Sequence, residues 1–128
     1  MTRFLLVAAG GALGSMARYG LGVTFMRLAP SAVWPWATLA VNVLGGLAMG
    51  LLAGWLAHRG GADQERLRLL LGVGLLGGFT TFSAFSLETV LMIERREWAA
   101  AGLYVGLSVV LAVAALFAGL MLARRVFA

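Results

Sequence analysis

Four apolar runs, each long enough to cross a bilayer, divide this chain of 128 residues. A membrane helix needs about 20 mostly apolar residues, and the runs cover about residues 4–26, 34–57, 67–93 and 98–123. Their polar members are few. Arg18 interrupts the first, Asn42 is the most polar member of the second, Arg68 and Glu88 lie toward the two ends of the third, and the fourth carries no charge. With 62% hydrophobic and 12% charged residues, so short a chain cannot hide its apolar surface in one water-soluble core. The expected fold is an all-α integral membrane protein, a single four-helix transmembrane domain over residues 1–128. Soluble enzymes, disordered chains and disulfide scaffolds are excluded, and a chain without cysteine has no thiol chemistry.

The connections support this division. Arg27-Leu28-Ala29-Pro30-Ser31 is a turn-rich break, and Pro35 suits the first turn of a new helix. His58 to Arg66 is the longest polar stretch, in which Asp63 is the expected N-cap of the third helix. Glu94-Arg95-Arg96-Glu97 makes a tight charged corner. Trp34, Trp36, Trp55 and Trp98 all fall at span ends, where an amphipathic indole prefers to sit in a bilayer. Met1 to Ala17 also has the outline of a signal peptide, but the apolar character continues past Arg18 and favours a retained first span.

All ten basic residues are arginines, against five acids. They sit singly or in pairs between apolar runs, as membrane loop charges do, and form no stripe for nucleic acid. With four spans, one side of the membrane holds Arg3, Arg59, Arg66, Arg68, Arg124 and Arg125. The other holds Arg27, Arg95 and Arg96, joined by Arg18 if it reaches that way. Six against four is a weak instruction for orientation. It fits an ordinary protein with its N-terminus inside. It equally fits a chain inserted both ways round, which allows antiparallel subunits.

Glycines recur every four residues: Gly10 and Gly14; Gly46, Gly50 and Gly54; Gly74 and Gly78; Gly102 and Gly106. Small residues at this spacing let helix backbones approach closely. The triplet on the second span marks a helix–helix seam, either within one chain or between two.

The most unusual segment is Gly77-Gly78-Phe79-Thr80-Thr81-Phe82-Ser83-Ala84-Phe85-Ser86, in the middle of the third span. Four hydroxyls behind paired glycines are poor choices for a lipid-facing helix. Gly-Gly relaxes the constraint that keeps a helix regular, and Ser and Thr compete for backbone carbonyls. The expectation is a helix broken near its middle, with exposed carbonyls able to hold a cation; the competing reading is a continuous, tilted helix with back-bonded hydroxyls. Phe82 and Phe85 share a helix face, which suits lipid-facing or core packing, or, among these hydroxyls, an anion that their positive ring edges can solvate without a fixed charge. Asn42 is the only amide in a span, with Thr38 one turn earlier. It suits either an interhelical hydrogen bond or an anion donor. Tyr104 and Ser108 form a short polar stripe on the fourth span. Arg18 and Glu88 lie toward the same side, either as a structural ion pair or as the charges of a vestibule.

Three motifs together resemble a family. Gly10-Gly11-x-x-Gly14-x-x-x-Arg18-Tyr19, Pro35-Trp36-x-Thr38-Leu39-x-Val41-Asn42-x-x-Gly45, and Gly77-Gly78-Phe79-Thr80-Thr81-Phe82-Ser83-x-Phe85-Ser86-x-Glu88 are similar to those of the Fluc fluoride channels, also called the CrcB family. The resemblance covers nearly the whole chain. It implies an antiparallel, dual-topology homodimer in a prokaryotic inner membrane, with two fluoride pathways that export the ion passively. It implies a central Na+ held by the main-chain carbonyls of Gly77 and Thr80. It implies that Phe82 and Phe85, from opposite subunits, line each pathway with Asn42 as fluoride donor. Thr38, Thr81 and Ser83 belong to the same pathway, Tyr104 and Ser108 form a polar track, and Arg18 and Glu88 sit near the vestibules. One departure is Ala112, where the family often carries another hydroxyl. Two other readings stand beside this one. A small proton-coupled multidrug exporter also has four short spans, but it needs an acid in the first, where this chain has Arg18 and none. A non-transporting membrane scaffold would not need Asn42, the phenylalanine pair or the hydroxyl run.

Overall fold

The computed structural model describes residues 1–128, and it is all-helical. Helix α1 runs Thr2–Leu28 and α2 runs Trp36–His58. The third span, Gln64–Glu94, is assembled from several pieces. A short α3, Gln64–Leu67, passes into a wide π-helical stretch, Arg68–Leu76, followed by α4, Gly77–Phe79. Thr80 and Thr81 are extended, with φ/ψ of −75°/157° and −150°/118°, and α5 then runs Phe82–Glu94. Helix α6, Trp98–Phe127, closes the chain. Each of the four spans is long and apolar enough to cross a membrane.

Glycines decide which helices meet. On α2, Gly46, Gly50 and Gly54 lie against Ala112, Leu116, Leu120 and Ala123 of α6, and Gly119 of α6 lies against Leu47. A methyl group on Gly50 would collide with the Leu116 carbonyl and come within 2.8 Å of the Leu120 nitrogen. The α2 glycine triplet is therefore a seam inside one chain. On α1, Gly10 and Gly14 take the backbone of Leu70, Gly74 and Leu75, so the π-helical stretch docks on the first span. A methyl group on Gly102 or Gly106 would meet no other part of this chain within 4 Å. The contrast is testable. Gly50→Ala forces two backbones apart and should cost about 1–3 kcal/mol. Gly20→Ala, at an open helical position, should be neutral or gain up to ~1 kcal/mol from helix propensity. Thermal unfolding in detergent measures both, and equal melting temperatures would contradict the seam.

Only 19 of 128 residues are buried, and large side chains such as Phe117, Val113 and Phe4 point outward. Water would penalise that surface, whereas lipid tails do not. The small core of Leu39, Phe85, Met92, Ala101 and Tyr104, flanked by Trp34, joins α2, α5 and α6 at one end of the bundle. At the opposite end Arg3 of α1 pairs with Glu65 of α3 at 3.3 Å.

The helix ends correct two local expectations. Asp63 occupies the cap position of α3, but its side chain makes no cap hydrogen bond; it leans 3.7 Å from Arg66 instead. Pro35 precedes α2 as its cap residue rather than sitting inside the first turn. At the Glu94–Glu97 corner, Arg96 takes a left-handed φ of 60°, and Arg95 Nε donates to Glu97 Oε1 at 3.1 Å.

Candidate functional site

The extended pair Thr80–Thr81 is held by Asn42 from α2. Asn42 Nδ2 donates to the Thr81 carbonyl at 3.0 Å, and Asn42 Oδ1 accepts the Thr81 N–H at 2.9 Å. One side-chain amide thus replaces the helical partners of one peptide residue, as buried backbone groups require. The interhelical hydrogen bond expected as one role of Asn42 is present, and it goes to backbone. One Nδ2 proton is committed to Thr81, and an amide nitrogen carries two. Because Thr81 N–H bonds Asn42, it does not serve the Gly77 carbonyl four residues back.

Thr81 has a second task that the sequence reading missed. Its Oγ1 accepts the Ala84 N–H at 3.1 Å and so caps α5. The signal was a threonine followed two residues later by Ser83 and then Ala84 at a helix start. Ser83 Oγ lies 3.4 Å from the Thr81 hydroxyl. The other hydroxyls are back-bonded: Thr80 to Leu76 O, Ser86 to Phe82 O and Thr89 to Phe85 O.

Beside this clamp lies an open groove of about 440 Å³ between α2, α5 and α6. Asn42, Thr80, Thr81, Phe82, Phe85 and Ser108 all line it, and none of its lining residues is charged. Ala112 lines it as well, at the position where a further hydroxyl was noted as absent. Phe82 and Phe85 rings sit 5.4 Å apart, the first 79% exposed and the second buried. Ser108 is buried, and its hydroxyl has no hydrogen-bond partner within the chain.

Tyr104, Thr38, Ser83, Gly77, Arg18 and Glu88 lie outside this groove. Thr38 and Tyr104 instead converge on Glu88. Thr38 Oγ1 donates to one carboxylate oxygen and the Tyr104 hydroxyl to the other, each at 2.7 Å. The structural ion pair between Arg18 and Glu88 is therefore absent: Glu88 takes two neutral donors, and Arg18 makes no salt bridge. Arg18 lines a separate cleft with Thr38, Thr81 and Ala84. Tyr104 and Ser108 do not bond one another, because the phenol is committed to Glu88. Phe85 stacks against Tyr104 at 5.2 Å, so the groove and the Glu88 cluster share one wall. No local spacing announces a cluster built from α2, α5 and α6.

The site contains no group of three or more His, Cys, Asp or Glu residues. The groups lining the groove are neutral: amide, hydroxyl, main chain and aromatic ring. Such atoms can replace part of an ion's hydration shell without trapping the ion.

Known proteins are similar to this chain along nearly their full length. Among curated relatives, the chain is 67% identical to the fluoride-specific ion channel FluC of Phenylobacterium zucineum, covering 100% of both chains. It is 66% identical to that of a Caulobacter species, covering 99% of this chain and 98% of the relative. It is 60% identical to that of Caulobacter vibrioides, covering 100% of both. A family model described as CrcB-like protein, Camphor Resistance (CrcB), matches residues 5–120, and the chain belongs to that family.

Proposed function

We propose that this protein is a passive, fluoride-selective channel of the prokaryotic inner membrane. Fluoride entering a cell as neutral HF dissociates in the less acidic cytoplasm, and the channel lets the anion leave down its gradient. The observation that carries this reading is the uncharged groove in which Asn42, Thr80, Thr81 and Ser108 meet the Phe82–Phe85 pair. Fluoride is small and tightly hydrated, so a pathway must offer several donors at once. The second Nδ2 proton of Asn42 and the unpartnered Ser108 hydroxyl are such donors. The positive edges of the two rings add attraction without a fixed charge. A fixed cation in the same place would hold the anion too long for conduction. No covalent step is needed, and the relatives carry a channel's name.

The groove is half of a pathway, and the proposal completes it with a second copy running antiparallel. The near balance of arginines across the membrane is compatible with insertion both ways round. Two-fold symmetry then yields two pathways, each joining rings of both subunits. Arg18, in its own cleft beside Thr81, would draw anions into the vestibule, and Glu88 would tune their entry. The Gly77 carbonyl, free of its helical N–H, and the Thr80 carbonyl on extended backbone fit a hard cation such as Na+. Two carbonyls from one chain are too few ligands, whereas two chains across the axis supply four. The cation would contribute positive charge that joins the opposed subunits at the centre. The exporter reading gains nothing: no acid lies in the first span, and no exporter is among the relatives described.

Reconstitution in liposomes tests the proposal. Fluoride efflux should proceed without a proton gradient while chloride is retained. Exchange of protons for organic cations, or no flux at all, would overturn it.

A further inference from the structure

At the end of the molecule where Arg3 meets Glu65, a further pocket of about 400 Å³ opens between the 58–64 connection and the spans. It is distant in character from the groove. Its lining carries two guanidinium groups, Arg59 and Arg66, against one carboxylate, Asp63, together with an apolar part made by Leu6 of α1 with Leu67 and Leu70 of the third span. Arg59 makes no ion pair. Its guanidinium lies 4.7 Å over the Trp55 ring, which orients the charge without neutralising it. Arg66 has only a 3.7 Å approach to Asp63, and both side chains are largely exposed, so water screens that contact. Between them a methyl group on Gly60 or Gly61 would meet nothing within 4 Å, and Gly61 takes a φ of +134° that only glycine adopts readily. The loop backbone is thus bare and open toward the pocket.

Depth decides what such a pocket meets. Trp55 is an interfacial residue by position, near the end of α2. A pocket near headgroup level, lined by net positive charge beside leucines, matches a molecule that joins an anionic group to an apolar chain. We infer that it binds an anionic membrane lipid: the two arginines hold the headgroup phosphate, and the leucines receive the first part of an acyl chain. Guanidinium groups suit phosphate because their paired N–H donors match its oxygens. A free phosphate ion would use the rim and leave the leucines unsatisfied, so the lipid is the occupant this geometry favours.

The test uses purified, intact protein in neutral detergent, with phosphatidylglycerol, phosphatidylcholine or inorganic phosphate added, and native mass spectrometry reading bound lipid. Phosphatidylglycerol should bind saturably and more tightly than phosphatidylcholine. The R59Q/R66Q double variant should lose roughly tenfold to thirtyfold in phosphatidylglycerol affinity, as expected for two interfacial arginines. R59K/R66K should retain part of it. R124Q/R125Q removes equal charge from the same side outside the pocket and should bind as the parent does. Equal loss in both glutamine variants would reduce the effect to general charge and overturn the site. Competition by inorganic phosphate at the same concentration would show a soluble-anion site and overturn the lipid assignment. Fluoride flux is not the readout, so the lipid site and the channel stand or fall separately.

Discussion

Asn42→Asp is expected to reduce fluoride flux by more than about a hundredfold, which corresponds to ~3 kcal/mol in the barrier. The aspartate retains an oxygen for the Thr81 N–H but loses the proton that Asn42 donates to the Thr81 carbonyl. A carboxylate then faces a carbonyl oxygen with no hydrogen between them. The extended pair Thr80–Thr81 loses half of its clamp, and a negative charge enters a groove that has none. Both effects act against an anion. Fluoride efflux from liposomes measures the first outcome, and elution and melting of the purified protein show whether the fold survives. Parent-level flux would reduce Asn42 to a structural amide.

The second large effect belongs to the rings. Phe82→Ile and Phe85→Ile should each lower flux about a hundredfold by removing the aromatic edges, but they should differ in stability. Phe82 is 79% exposed in the single chain, so its truncation leaves no cavity there. Phe85 is buried and packs 5.2 Å from Tyr104, whose hydroxyl holds Glu88. Shortening it should cost on the order of 1–3 kcal/mol and loosen the Glu88 cluster as well. The informative variant is therefore Phe82→Ile: low flux at parent stability isolates the ring's role in conduction. Unchanged flux in both variants would remove the rings from the mechanism.

The four apolar helices were legible because lipid imposes one simple requirement on length and composition. Family membership was legible in the three motifs, which the full-length relatives bear out. The α2 glycines announced a seam, but its partner, α6, was not legible, since spacing says that a helix face is flat and not what lies against it. Asn42 stood out as the lone amide in a span, yet its target is 39 residues away. Of the two readings open for Arg18 and Glu88, the ion pair is absent for the same reason. Charge and depth made the two plausible partners, while helix packing delivered Thr38 and Tyr104 to the carboxylate instead. Asp63 shows the local limit: a good cap residue at the cap position still turned its side chain toward Arg66.

Length, apolarity and the placement of arginines along the chain determined by themselves that this protein lies in a membrane as four helices. Those properties are sums over neighbouring residues, and neighbours are what a sequence records. The tertiary structure alone decided that Asn42 bonds the backbone of Thr81, that Glu88 answers to Thr38 and Tyr104, and that Arg59 and Arg66 frame one pocket. Each of these depends on how whole helices rotate and slide until their glycine faces close, and that fit is a property of surfaces in space.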